Sequence, residues 1–75
     1  MNILIENKET LEYLTGSGMW TKDPLVARFF PASEAAFQVA KLEAIGRFNI
    51  VGHIPVTNQF VNLDHGRGKG LRDAG

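Results

Sequence analysis

The side chains best able to do chemistry are two histidines, His53 and His65. Imidazole binds zinc and moves protons near neutral pH, but a metal site needs several ligands to converge. Here His53 would have to meet His65, Asp64 or the glutamates, and no metal-ligand spacing joins them. His53 falls on an alternating apolar run, which makes a neutral strand histidine the simpler reading, and His65 sits in a glycine-rich terminus. Ser17 and Ser33 are the only serines. Ser17 belongs to a turn, Ser33 has the position of a helix cap, and no Gly-x-Ser-x-Gly elbow is present. Glu6, Glu9 and Glu12 flank a hairpin, where charges facing water also keep a sheet edge from unwanted pairing. Gly66-Arg67-Gly68-Lys69-Gly70 resembles a phosphate loop only in composition: the Gly-x-x-x-x-Gly-Lys-Ser/Thr spacing is missing and no helix follows. We therefore expect no catalytic residue, no metal and no cofactor.

What remains is binding. Tyr13 and the single tryptophan, Trp20, are large amphipathic rings whose polar atoms need an outlet, so both are expected to be partly exposed. On a helix spanning this region, Leu42 and Ile45 fall away from the alanine face. Either the chain after Pro55 covers them, through Phe60 and Val61, or they form an apolar patch for a partner or a second copy. Tyr13, Trp20, Leu42 and Ile45 are thus the candidate protein-binding residues. Arg67, Lys69 and Arg72 are the candidates for the alternative, a nucleic-acid-associated protein whose tail gives weak, salt-sensitive contacts.

Composition narrows the choice. Seventy-five residues make one domain of marginal stability. With no cysteine, neither a disulfide nor a thiolate site reinforces it. Eight basic residues balance eight acidic ones, without the basic excess expected of an electrostatic nucleic-acid binder. No membrane-length apolar run and no signal-peptide pattern is found, so a soluble cytoplasmic protein is expected.

The elements that must position these residues can be read in order. Asn2-Ile3-Leu4-Ile5-Glu6 is strand-like, as is Thr10 to Leu14, where Leu11 and Tyr13 would share a face. Asn7 is the residue most tolerant of positive φ in the turn between them. Thr15-Gly16-Ser17-Gly18 breaks the chain before Trp20. Asp23-Pro24 starts either one helical turn or a β-turn. Arg28-Phe29-Phe30 is a short strand stopped by Pro31. The helix follows, with Ser33 as N-cap, Glu34 in its first turn, and Ala36, Phe37, Ala40 and Ala44 on one stripe. Gly46 ends it. Phe48 to Ile54 alternates, with Phe48 and Ile50 on one face and Asn49, Val51 and His53 on the other. Gln59-Phe60-Val61 suggests a further strand.

The spaced set Tyr13-Leu14, Trp20-Thr21-x-Asp23, Ala27-x-x-Phe30 and Ser33-x-x-x-Phe37-x-x-Ala40 resembles a type of short uncharacterised protein from phages and bacterial mobile elements. Those proteins carry a Tyr-Leu hairpin, a Trp-Thr-x-Asp loop, an Ala-x-x-Phe segment and an alanine-rich helix. The resemblance covers residues 3–45 and stops at Gly46. It implies a phage or mobile-element origin and no activity. The combined expectation is an α+β domain over residues 1–63, with three to five antiparallel strands and one helix on one face, in the order β-β-β-α-β with a last short strand. A flexible glycine-basic tail, 64–75, would follow. A non-enzymatic protein-binding module, such as an inhibitor of a host system, is the expected role, and a homodimer is one form it could take.

Overall fold

The computed structural model describes residues 1–43 and 45–63. Five antiparallel strands and one helix follow the expected order: β1 (Asn2–Asn7), β2 (Tyr13–Leu14), β3 (Trp20–Thr21), α1 (Ser33–Leu42), β4 (Phe48–Ile54) and β5 (Gln59–Asn62). In space the sheet runs β3-β2-β1-β4-β5. The central pair, β1 and β4, is the longest ladder, in register from Asn2↔His53 to Asn7↔Phe48. Helix α1 crosses these two strands.

Period-2 alternation gives the sheet two apolar faces. Ile5, Leu14, Phe30, Ala36, Ala40 and Ile50 form the buried core beneath the helix, with Ile3, Trp20, Phe37, Ile45, Phe48 and Leu63 packed around it. Ala36 and Ala40 are fully buried, so the small-residue stripe sets the helix close against β1 and β4. Leu4, Tyr13, Ala27 and Val51 form a second, smaller core on the opposite face. No second helix covers that face among the described residues; Ala27, from the segment after β3, does part of the work.

That segment explains a gap in the sheet. β1 and β2 pair only at Glu6↔Tyr13. Where β2 turns away, the chain at 28–30 takes its place: Arg28 N–H donates to Leu14 O at 2.8 Å, and Phe30 N–H donates to Ile3 O at 2.9 Å. Arg28–Phe30 is accordingly reduced to one bridge, Ile3↔Phe30, rather than a strand. Asp23-Pro24 forms a turn: Val26 N–H donates to Asp23 O at 3.0 Å, and Leu25 N–H to Asp23 Oδ1 at 3.0 Å. Gly18, at φ 86°, supplies the left-handed residue between β2 and β3.

Several local expectations are corrected. Asn7 does not take positive φ; Leu11 does, at 60°. The Asn7 side chain accepts from Glu9 N–H at 2.8 Å and Thr10 N–H at 3.2 Å, holding the loop and leaving only Tyr13–Leu14 as strand. Leu11 is exposed and does not share a face with Tyr13. Ser33 is the first helical residue, not the cap; Ala32 occupies the cap in an extended conformation and offers no side-chain acceptor. The helix ends at Leu42, before the expected Gly46 stop. Glu43 N–H donates to Val39 O at 2.9 Å and Ile45 N–H to Ala40 O at 3.0 Å. The Ile45 bond has the span that reverses a chain at a helix C-terminus.

Candidate functional site

The expected binding residues do not form one surface. Tyr13, expected to be partly exposed, is buried at 8% exposure and lies on the sheet face opposite the helix. Its ring stacks on Phe60 at 5.7 Å between centroids and 2° between planes. Burial, and then the Glu6 carboxylate, raise the Tyr13 hydroxyl above its ordinary pKa. Trp20 is half-buried and packs on the helix-side core. Ile45 also packs there, because the chain has left the helix before reaching it and its helical-wheel position no longer applies. Leu42 is on the helix and 83% exposed. Phe60 lies on the other side of the sheet, paired across from His53, and so is not its cover. Arg67, Lys69 and Arg72, with His65 and the expected tail 64–75, lie outside the described residues.

Among the described residues His53 is the one buried polar side chain, at 2% exposure. Strand alternation puts it on the face of Leu4 and Val51, beside Asn2 and against Phe60, whose ring centroid is 4.6 Å away. Its Nε2 lies 2.9 Å from Asn58 Oδ1, in the turn where Asn58 holds φ 56°. With the amide oxygen accepting, the proton belongs on Nε2. The bare Nδ1 lone pair is then buried without a partner. A general base needs an accessible lone pair and an orienting acid; this ring has an amide partner and almost no exposure. Among the described residues no cluster of three or more His, Asp or Glu side chains is arranged to hold a metal. No helix among them is long and apolar enough to cross a membrane.

A different surface draws attention. Leu25, Val26 and Phe29 are 62%, 59% and 48% exposed within a five-residue run, while Ala27 between them is buried. The segment is not loose. Asp23 fixes its start through the turn bonds, and the Arg28 and Phe30 amides tie its end to β2 and β1. The Arg28 guanidinium lies over the Phe30 ring at 4.7 Å, a further tie at the end of the segment. The sequence carried a signal for this: Pro24 followed by apolar residues on both sides of a single inward alanine. A helical-turn reading of the same stretch conceals it.

No protein family, no curated protein and no solved structure was found to match this chain.

Proposed function

We propose that this chain is a small non-enzymatic protein-binding module of phage or mobile-element origin. Its contact surface is the Leu25-Val26-Phe29 segment. One observation carries the reading: three large apolar side chains are held outward by a backbone tied down at both ends. Ordering this segment is already complete before a partner arrives, which lowers the entropic cost of binding. Aromatic and aliphatic anchors on a fixed scaffold are the usual carriers of interface energy. The charge pattern agrees. Within residues 1–63, Lys8, Lys22, Arg28, Lys41 and Arg47 face Glu6, Glu9, Glu12, Asp23, Glu34 and Glu43, so this body presents no basic excess to a nucleic-acid backbone. The engaged and buried His53 ring favours a non-enzymatic role. An inhibitor of a host system would suit the size and the proposed origin.

The test is site-specific photo-crosslinking in a bacterial host lysate. A benzophenone side chain at Val26 should trap a discrete protein species. The same group at Val56, which is 93% exposed but isolated in a turn, should not. Leu25→Ser with Phe29→Ser should abolish the Val26 adduct while leaving the circular dichroism unchanged. Absence of any adduct, or adducts indifferent to probe position and to the double substitution, would overturn the reading.

A further inference from the structure

We infer that the free edge of β5 pairs with the β5 edge of a second copy of this chain, making one continuous sheet across a two-fold axis at Val61. This inference rests on β5 alone and not on the Leu25-Val26-Phe29 surface.

The phase of the ladder decides which backbone groups are available. Leu63 N–H donates to Ile50 O directly opposite, at 2.7 Å. In an antiparallel ladder, pairs that exchange hydrogen bonds alternate with pairs that do not. Continuing from Leu63 through Gly52↔Val61 to Ile54↔Gln59, the backbones of 59, 61 and 63 turn inward to β4. Those of Phe60 and Asn62 turn outward. Among the described residues no strand lies beyond β5 in the sheet order, so its outer edge offers a donor and an acceptor at Phe60 and again at Asn62.

This edge lacks the usual protections. Long sheet edges are commonly guarded by lysine, proline, an inward charge or a bulge. Gln59-Phe60-Val61-Asn62 has no charge and no proline, its register with β4 is unbroken, and all its residues are exposed. The opposite edge, β3, is only two residues long and is followed directly by Lys22.

The occupant follows from self-complementarity. Only one register places both outward-facing residues of each copy in hydrogen-bonded pairs within β5: Phe60 opposite the second copy's Asn62, and the reverse. Each such pair exchanges two bonds. Val61 then faces its own symmetry mate across the close, non-bonded pair at the axis, where β-branched side chains pack best. Val61 is 42% exposed and Phe60 43% exposed, on opposite faces of the sheet, so pairing covers apolar surface on both. An uncharged strand on a chain of zero formal net charge meets no repulsion from its own copy. A foreign strand could use the same backbone groups, but it would not bring the matching side chains by symmetry.

The experiment uses the full chain. Sedimentation equilibrium over a concentration series should give a monomer–dimer equilibrium. Amide hydrogen exchange over the same series should show protection at Phe60 and Asn62 rising with concentration, while the Val61 amide, bonded to β4, stays protected throughout. Asn62→Pro removes an N–H that faces only the free edge, so it should yield a monomer with the β4–β5 ladder intact. Val61→Lys, which sets two like charges face to face at the axis, should raise the dissociation constant by roughly tenfold or more. Leu42→Lys should leave it unchanged. A monomer at every concentration overturns the inference. So does a dimer that survives Asn62→Pro and Val61→Lys, since it must use another surface. Protection of Phe60 and Asn62 that does not depend on concentration also overturns it, by placing another part of the same chain on the edge.

Discussion

Replacing His53 by leucine tests whether this buried imidazole is held at a cost. Four effects compete. The hydrogen bond to Asn58 is lost, about 1 kcal/mol net, and Asn58 is exposed, so water can satisfy its side chain. The ring contact with Phe60 is lost as well, worth about 0.5–1.5 kcal/mol beyond the area buried. Against these, the partnerless Nδ1 disappears, relieving about 1–3 kcal/mol. A fully buried leucine also adds apolar transfer energy, about 1 kcal/mol more than an imidazole of similar volume. At mid-range the terms favour His53→Leu by about 1 kcal/mol, with extremes of about 0.5 kcal/mol against it and about 2.5 kcal/mol for it. Urea unfolding followed by the fluorescence of the single tryptophan, Trp20, should therefore show an unchanged slope and a midpoint equal to or above that of the wild type. His53→Ala at the same site should instead lose about 2–4 kcal/mol, because it leaves a cavity beneath Phe60. A loss of more than about 1 kcal/mol in His53→Leu would refute the reasoning. It would mean that Nδ1 is satisfied and that the histidine stabilises the sheet.

Two further outcomes follow from the same structure. The folded state holds the Tyr13 hydroxyl above its ordinary pKa, mainly by burial, so the unfolded chain releases this proton first as pH rises. The stabilisation is complete below the unfolded value of about 10 and is lost as pH climbs from there through the folded value. Thermal midpoints should accordingly fall more steeply above pH of about 10 in the wild type than in Tyr13→Phe, which keeps the stack on Phe60; parallel curves would remove Tyr13 from the account. Ala40→Leu should destabilise by about 1–3 kcal/mol, because the helix sits too close to β1 and β4 to admit three more carbons, whereas Gln38→Leu on the exposed side should change stability by no more than about 0.5 kcal/mol. Chemical denaturation of the pair checks this.

The sequence by itself determined the class of the fold, the places of β1, α1, β4 and β5 along the chain, and which residues of β1, β4 and α1 face inward, but it put the strand before the helix at Arg28–Phe30 rather than at Trp20–Thr21. Alternation with period two and an alanine stripe with helical period are local regularities, and local regularities survive being read without coordinates. Asp23-Pro24 and Gly18 were legible for the same reason, since a turn is decided within four residues. Only the tertiary structure decided the rest. Tyr13 was expected to be partly exposed because its hydroxyl needs an outlet. It is buried because Phe60, nearly fifty residues later, lies flat against it across the sheet. Ile45 was placed on the helical side away from the alanine face, to be covered by the chain after Pro55 or by a partner, but the bond from its amide to Ala40 turns the chain back and packs its side chain against the core. The outward set of Leu25, Val26 and Phe29 depends on two amides bonding to strands far away in sequence. The free groups of β5 depend on the phase of its ladder with β4, and alternation of side chains alone does not tell an inner strand from an edge. For Tyr13 and for the Leu25-Val26-Phe29 segment the deciding partner is distant along the chain, whereas for Ile45 and β5 it is near and what decides is which backbone groups pair.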